Sequence, residues 1–501
     1  MNLADDLFRR MREAPDRQAL AFEGARWTFR ELGYAIARAA AALQSEGIAA
    51  GDRVAFILRN RPEGVIALYA CWSIGAVPVL VSPLYGRDDL ASALEKTGPK
   101  LAVVGDDLET ARAAVAERAI NALLSSALAQ GAGTEYLPDA CDLAEDHESA
   151  ILFTGGTTGK PKAVVATHGG TLATMSKLAF ASKGRAGPYA LAPDAASPNL
   201  ILLPLFHSGG QQALLFSYHV GRSVALVERF AADAVDSAVR RHAIDNLFLL
   251  PTMLYDLAYA PGAIDLSTVR SVLVAGGAVD PQTRAAFERR YGIALLSNYG
   301  STEIGHVAGW TARDVRDGLW RAGSVGRVYP GVEVEIRDED GQPLGPNAVG
   351  EICVKTRLTT GYAGSNNAEE MIHRDGWVLS GDLGYLDADG VLFLSGRKRE
   401  LIKCGGFQIF PSELEDTLRT SPIVADVAVV AAADPRLGEV PKAFVVPRSN
   451  VAAPGEPERA ALIAHVRDRL AHYKAIREVE FIAALPRTPT GKIDRAALAG
   501  R

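Results

Sequence analysis

Cysteine is scarce in this chain. Its 501 residues include four, Cys71, Cys141, Cys353 and Cys404, widely spaced and without a CxxC pair. No histidine cluster stands at zinc-ligand spacing, so a disulfide scaffold and a Cys/His zinc site are both excluded, and the thiols read as free groups in a reducing compartment. No uninterrupted apolar run approaches the ~18 residues that a membrane span needs. The opening MNLADDLFRRMREAPDRQAL places charges where a signal peptide needs its apolar stretch. Basic excess is missing as well. Lys and Arg total 53 against 59 Asp and Glu, a net charge of -6, which is the wrong sign for displacing counterions from nucleic acid. These absences describe a soluble, cytoplasmic protein with no nucleic-acid partner and no membrane span.

What is present is core-forming material. Hydrophobic residues make up 48% and charged residues 22%, which argues against long disordered stretches. At roughly 150 residues per domain, a chain of this length allows about three units, fewer if one is a large α/β domain.

Short apolar, β-branched runs alternate with helix-period segments from residue 26 onward. Helix is expected over 28–47, strand over 54–58, helix over 63–74, strand over 77–81, helix around 90–96 and strand over 101–104. This is the rhythm of βαβ units and a largely parallel sheet. Further buried strands at 150–153, 200–204, 246–250 and 271–275 each run into small or polar residues, and in open α/β sheets ligands sit at the carboxyl ends of strands. After residue 323 the texture changes to short strands (332–337, 350–355, 391–394) split by Asp/Gly turns, a small β unit. Beyond 399 follows a mixed tail with helix at 411–420, strands at 424–431 and 442–446, helix at 457–472 and strand at 478–482. The Gly/Pro/Ala-rich stretch 181–198 reads as a loop insert. The expected division is 1–398 and 399–501.

Directly after the strand at 150–153 comes Phe153-Thr-Gly-Gly-Thr-Thr-Gly-Lys-Pro-Lys162. Gly155, Gly156 and Gly159 let successive backbone N–H groups converge on one anion. Thr154, Thr157 and Thr158 add hydroxyl donors, and Lys160 and Lys162 add charge. It is a phosphate-binding pattern but not Walker A, because Pro161 rather than Ser or Thr follows the first lysine. A Gly-rich loop is by itself most often a flexible surface loop, so the rest of the chain has to carry the point. Downstream stand Gly276-Gly277-Ala278 after a strand, then Asn298-Tyr299-Gly300-Ser301-Thr302-Glu303. Further on come Ser380-Gly-Asp382-Leu-Gly-Tyr385, then Gly396-Arg397-Lys-Arg399-Glu-Leu-Ile-Lys403, and Pro486-Arg-Thr-Pro-Thr-Gly-Lys492. An aromatic ring suits adenine, a Thr hydroxyl suits phosphate, a carboxylate suits Mg²⁺ or vicinal hydroxyls, and a lysine point charge suits phosphate beside carboxylate.

These segments, in this order and across nearly the whole chain, resemble the motifs of the adenylate-forming superfamily. That superfamily comprises acyl- and aryl-CoA synthetases, peptide-synthetase adenylation domains and firefly luciferase. The resemblance implies an α/β fold: a large N-terminal domain of mixed, largely parallel sheets with a small β subdomain, plus a small mobile α+β C-terminal domain turning about a hinge near Arg399. The family more often has Asp or Lys at that hinge position. It further implies that the 154–162 loop holds the ATP phosphates, and that the 276–278 turn borders adenine and the acyl group. Asn298 to Ser301 would line the nucleotide with Tyr299 stacking on adenine, Thr302 would contact phosphate, and Glu303 would bind Mg²⁺. Asp382 and Arg397 would contact ribose, Lys492 would be the catalytic lysine, and Lys403 would serve the second half-reaction. Pro204-Leu-Phe-His207 resembles the segment in which a His gates the surroundings of the substrate carboxylate; a His satisfied by local polar groups is the alternative. His306 and Trp310 are further candidates for the pocket wall.

The implied activity is formation of acyl-AMP from a carboxylic acid and Mg-ATP, then transfer to coenzyme A. No cationic residue in these segments announces a dicarboxylate or an amino acid, so an apolar acid is favoured, whether aromatic, alicyclic or medium-chain. Alternatives are a stand-alone enzyme loading a separate carrier protein's phosphopantetheine, a luciferase-like oxidation, and a non-catalytic nucleotide sensor. No Leu-Gly-Gly-x-Ser-type attachment site is seen, which favours CoA. Monomer and homodimer are both expected quaternary states.

Overall fold

A computed structural model describes the chain except residues 131–136, 155–161, 184–188, 194–195, 278, 365–371, 374–375, 405–406, 450, 452–453, 472–473, 489–491 and 500–501. Local signals set the helices. Phe29–Ser45 starts at Thr28, whose hydroxyl accepts from Glu31 N–H at 3.1 Å while the Glu31 carboxylate accepts from Thr28 N–H at 2.7 Å. This capping box satisfies two otherwise orphaned donors. Pro62 opens Pro62–Ser73, where its missing N–H costs nothing, and Gly98 in a left-handed conformation closes Arg87–Thr97.

The chain forms two compact units, one from Met1–Thr154, Lys160–Val334 and Val354–Val378, the other including Glu335–Cys353 and Leu379–Arg501. In the first unit, seven strands run in the order Thr359–Tyr362, Lys162–Thr167, Glu148–Thr154, Val77–Leu80, Arg53–Ile57, Leu101–Val104, Asn121–Leu124. The last five pair in parallel; Lys162–Thr167 is antiparallel to both its neighbours. The central parallel strands are buried nearly throughout, as Val-Pro-Val-Leu and Leu-Ala-Val-Val require of a sheet covered on both faces, whereas the edge strand Asn121–Leu124 is half-buried to exposed. Asn246–Leu249, Ser271–Ala275 and Leu295–Ser301 form a second parallel set, continued antiparallel by Gly305–Gly309. A third sheet joins Ala25–Thr28, Gln18–Phe22, Val224–Leu226 and Asn199–Ile201. Its first two strands precede or overlap the start of the sequence-based assignment.

Two expectations for the first unit needed correction. The strand expected over 200–204 ends at Ile201. Beyond it the Asn60 side chain takes over, donating to Leu203 C=O at 3.1 Å and accepting from Leu205 N–H at 2.8 Å. The stretch 181–198 is not all loop, since helix His168–Lys183 runs into it and Tyr189 is buried.

In the second unit, Val391–Arg397 and Trp377–Leu386 pair antiparallel beside Gly350–Lys355 and Glu333–Arg337. The tail forms a long hairpin of Val424–Asp434 and Gly438–Pro447; Ile402–Cys404, itself paired with Phe407–Ile409, and Glu478–Phe481 both pair with Gly438–Pro447. Leu414, Leu418, Leu462 and Val466 from helices Pro411–Arg419 and Glu456–Arg467 close its core. The second helix is shorter than the expected 457–472. Mixed sheets in a large N-terminal part and a small α+β C-terminal part are therefore the observed architecture.

Candidate active site

Thr154 ends strand Glu148–Thr154 and pairs with Lys162, which opens the antiparallel strand Lys162–Thr167. Thr154 thus stands at the carboxyl end of its strand. Gly155, Gly156, Thr157, Thr158 and Gly159 lie outside the described residues, as does Ala278. The Lys162 ammonium sits 4.8 Å from the ring centroid of Tyr362, a cation–π contact that draws the charge toward the neighbouring strand. Gly276, which follows strand Ser271–Ala275, has φ +85°, a conformation that excludes most side chains, and Gly277 follows it.

Strand Leu295–Ser301 delivers the 298–303 segment. A register shift between Tyr299 and Gly300 brings Gly300 opposite His306. A Cβ on Gly300 would lie 2.0 Å from the Gly305 carbonyl oxygen, so only glycine fits there. Tyr299 is buried. Past the strand, the Ser301 hydroxyl donates to the Glu303 carboxylate at 2.8 Å and accepts from Glu303 N–H at 3.2 Å, which orients that carboxylate. The Thr302 hydroxyl meets the Ser208 hydroxyl at 2.9 Å. This contact ties the turn to the N-terminus of helix Ser208–His219, where His207 is the cap residue. Thr359 Oγ1 donates to the Glu303 carbonyl at 3.4 Å, and Thr359 shares its strand with Tyr362. One short strand therefore touches both Lys162 and the 301–303 turn.

His207 accepts from Gly209 N–H through Nδ1 at 3.1 Å, so in the neutral ring the proton lies on Nε2. The same logic applies to His306. Asn298 Nδ2 donates to His306 Nδ1 at 2.8 Å, and Asn298 Oδ1 accepts from Tyr329 OH at 2.9 Å, an assignment that follows from the network. Burial pushes the His306 imidazole down to about 4, so it is neutral at physiological pH. Asn298 is thus committed to holding His306 and Tyr329. Trp310 is buried, its Nε1 donating to Ser324 Oγ at 3.1 Å.

In the second unit, Asp382 and Arg397 face each other across the hairpin, with Arg397 Nε 3.1 Å from Asp382 Oδ1. Asp382 is the more buried of the two. The turn before it depends on Glu351, a buried carboxylate that accepts from Gly381 N–H at 3.1 Å and pairs with Lys398 at 2.7 Å. Lys403 lies on strand Ile402–Cys404, but its side chain is outside the description. Lys492 is exposed, and its carbonyl accepts from Thr488 N–H at 2.7 Å, closing the loop that carries it. Arg487 and Ile493 form a β-bridge just outside that contact.

Sequence reasoning missed Ser208, Thr359, Tyr362 and Glu351. Ser208 adjoined the His207 segment already singled out. The others stand in runs with no local pattern, and only folding sets them beside the motifs. Among the described residues, no group of three or more His, Cys, Asp or Glu side chains could cage a metal. One oriented carboxylate fits Mg²⁺ arriving with ATP, since that ion commonly takes one or two carboxylates and completes its shell with phosphate oxygens and water. Nor is any described helix long and apolar enough to cross a membrane.

Residues 7–363 match the family described as AMP-binding enzyme, and residues 413–492 match the AMP-binding enzyme C-terminal domain. Among curated proteins, the chain is 31% identical to 4-coumarate–CoA ligase 3 of Oryza sativa subsp. japonica, over 100% of this chain and 92% of that protein. It is 33% identical to 2-succinylbenzoate–CoA ligase of Bacillus velezensis, over 98% and 96%. It is also 33% identical to the fatty acid–[acyl-carrier-protein] ligase ScoC of Streptomyces coeruleorubidus, over 97% and 94%. Among solved structures, the o-succinylbenzoate CoA synthetase of Bacillus subtilis, in complex with its acyl-adenylate intermediate, superposes with a TM-score of 0.86. It is 29% identical, and the match covers 99% of this chain and 98% of that one. Motif order, fold and these likenesses agree: the chain belongs to the AMP-binding enzyme family, within the adenylate-forming superfamily and of acyl- and aryl-CoA synthetase type.

Proposed function

We propose that this protein is an acid–CoA ligase for an apolar, aromatic carboxylic acid. In the first half-reaction a carboxylate oxygen attacks the α-phosphorus of Mg-ATP. The bond to the bridging oxygen breaks, and pyrophosphate leaves with its electron pair. In the second, the CoA sulfur attacks the acyl carbon, the thiol proton passes to solvent or a base, and AMP leaves. Such chemistry needs positioning and charge neutralisation more than covalent help.

The observation that carries this reading is the 301–303 turn. There Ser301 orients the Glu303 carboxylate and Ser208 engages the Thr302 hydroxyl, directly after the strand that buries Tyr299. The remaining roles are those the motifs imply: the 154–162 loop and Lys162 on phosphates, and Asp382 with Arg397 on ribose. Lys492 supplies charge to the attack, His207 stands near the carboxylate, and Lys403 acts in thioester formation, with a division of the chain near residue 399. Aromatic acids are named for three of the four proteins above, which supports that class without selecting a member.

A second reading, loading of a carrier protein's phosphopantetheine, is favoured by the equal identity to the acyl-carrier-protein ligase. A panel of carboxylic acids with Mg-ATP, scored for AMP with CoA, with a holo-carrier protein and with neither thiol, tests both. AMP turnover that needs an acid and rises with CoA is the expected result. Turnover with the carrier alone would establish the second reading, and no acid-dependent pyrophosphate release across a broad panel would refute both.

A further inference from the structure

A cavity of about 600 Å³ lies within the first unit, lined by none of the motif residues discussed above. Its position follows from the third sheet. Arg17, Pro198 and Ser223 line it, and they stand immediately before strands Gln18–Phe22, Asn199–Ile201 and Val224–Leu226. Those three strands are mutually parallel, so the cavity opens at their amino ends. His207 lies past the carboxyl end of Asn199–Ile201, so the two places are at opposite ends of one sheet.

The lining is strongly basic: Arg17, Arg26, Arg222, Arg240, Arg241 and His242 border the space. The one carboxylate among the described lining residues, Asp16, is bonded to Arg30 at 3.0 Å. Some of the guanidinium groups are spoken for. Arg222 forms a two-pronged pair with Asp245 at 2.7 Å, and Arg240 pairs with Asp236 at 2.9 Å and Asp265 at 3.2 Å. Arg26 and Arg241 have no carboxylate within ion-pair distance among the described residues. Both act on His242, whose imidazole is pushed down by burial and further by those two positive charges. A helix carboxyl end, here that of Ala232–His242, accommodates cations. It does not account for Arg26, which comes from a strand, nor for the cavity between them. Uncompensated guanidinium groups around a space of ligand size suit a multivalent anion, because their planar forks match phosphate oxygens two at a time.

We propose that this cavity is a second ligand site, for a small phosphorylated compound, held mainly by Arg26 and Arg241 and distinct from the acyl-adenylate site. Inorganic phosphate is the probe, followed by ³¹P line broadening against the full chain with AMP saturating the nucleotide site. Arg26→Gln combined with Arg241→Gln alters two exposed side chains, and its melting temperature and acid-dependent AMP formation serve as the check on folding. The expected result is saturable phosphate binding in the wild type that persists under AMP and weakens about tenfold or more in the double variant. Binding that the double variant leaves unchanged, competition by AMP, or no saturable binding up to millimolar phosphate would each overturn the proposal.

Discussion

Single side chains in the candidate site differ in how folding holds them. Glu303, Thr302, His207 and Asp382 each have a partner fixing their direction, and such pre-set dipoles and charges are what stabilise a transition state without reorganisation. Lys492 is exposed, on a loop whose base is held by backbone bonds from Thr488 N–H to Lys492 C=O and from Asp494 N–H to Pro486 C=O. Under the proposed mechanism, Lys492→Ala lowers acid-dependent pyrophosphate release by about 10²–10³, the scale of losing one charge-stabilising group. It leaves conversion of supplied acyl-AMP to acyl-CoA nearly intact. Equal losses in both half-reactions, measured separately, would contradict the assigned role.

At the scale of elements, two local constructions bear the most strain if altered. Gly300 lies against its own hairpin partner, so Gly300→Ala forces the strands apart at the bulge. The expected outcome is loss of ATP affinity of about tenfold or more with the melt shifted down, read by nucleotide titration and thermal unfolding. The second is the Glu415–Arg495 pair of the C-terminal part. Arg495 also reaches Glu400 at 3.0 Å, and the Glu415 carboxylate accepts from Val429 N–H at 2.8 Å. Removing Glu415 leaves Arg495 ion-paired with Glu400 alone and strips the buried Val429 N–H of its acceptor, at a cost of roughly 1–3 kcal/mol. Glu415→Ala is therefore expected to raise amide exchange across Val424–Asp434 and Gly438–Pro447 by orders of magnitude. Exchange confined to the mutated helix would show the pair to be dispensable.

At the scale of the whole molecule, two deeply set histidines tie stability to pH. Burial, together with the charges of His147 and the N-terminus, pushes His168 down to about 3, and burial pushes His306 to about 4. His168 Nδ1 accepts from Leu3 N–H at 3.0 Å, which requires the unprotonated nitrogen. Unfolded, both rings take up a proton below their ordinary value of 6.5. The unfolded state thus binds more protons as pH falls below 6.5, so stability is complete above that value. It declines through pH 5, by roughly 1.4 kcal/mol per pH unit per group, until each folded pKa is passed. Urea midpoints at pH 7.5 and 5 are expected to differ accordingly, with part of the difference removed in His168→Gln. A flat profile would show that neither ring remains neutral.

Residue order alone is enough to identify the family, because the motifs combine short-range requirements: glycines where backbone must turn, hydroxyls and charges where an anion or metal is met. It is enough for most helices and buried strands as well, since capping residues, Pro at a first turn and continuous apolar runs act locally. Strands that depend on distant partners were harder to read. Gln18–Phe22 exists as a strand because Val224–Leu226 lies beside it, more than two hundred positions away. Separation in sequence, from tens of positions to two hundred, likewise hid Tyr362 against Lys162, Glu351 behind Asp382 and Thr359 behind Glu303. Each motif states which group does chemistry, whereas the groups that aim it are ordinary residues with no local signature. What orients them is packing, a property of pairs brought together only when the chain folds.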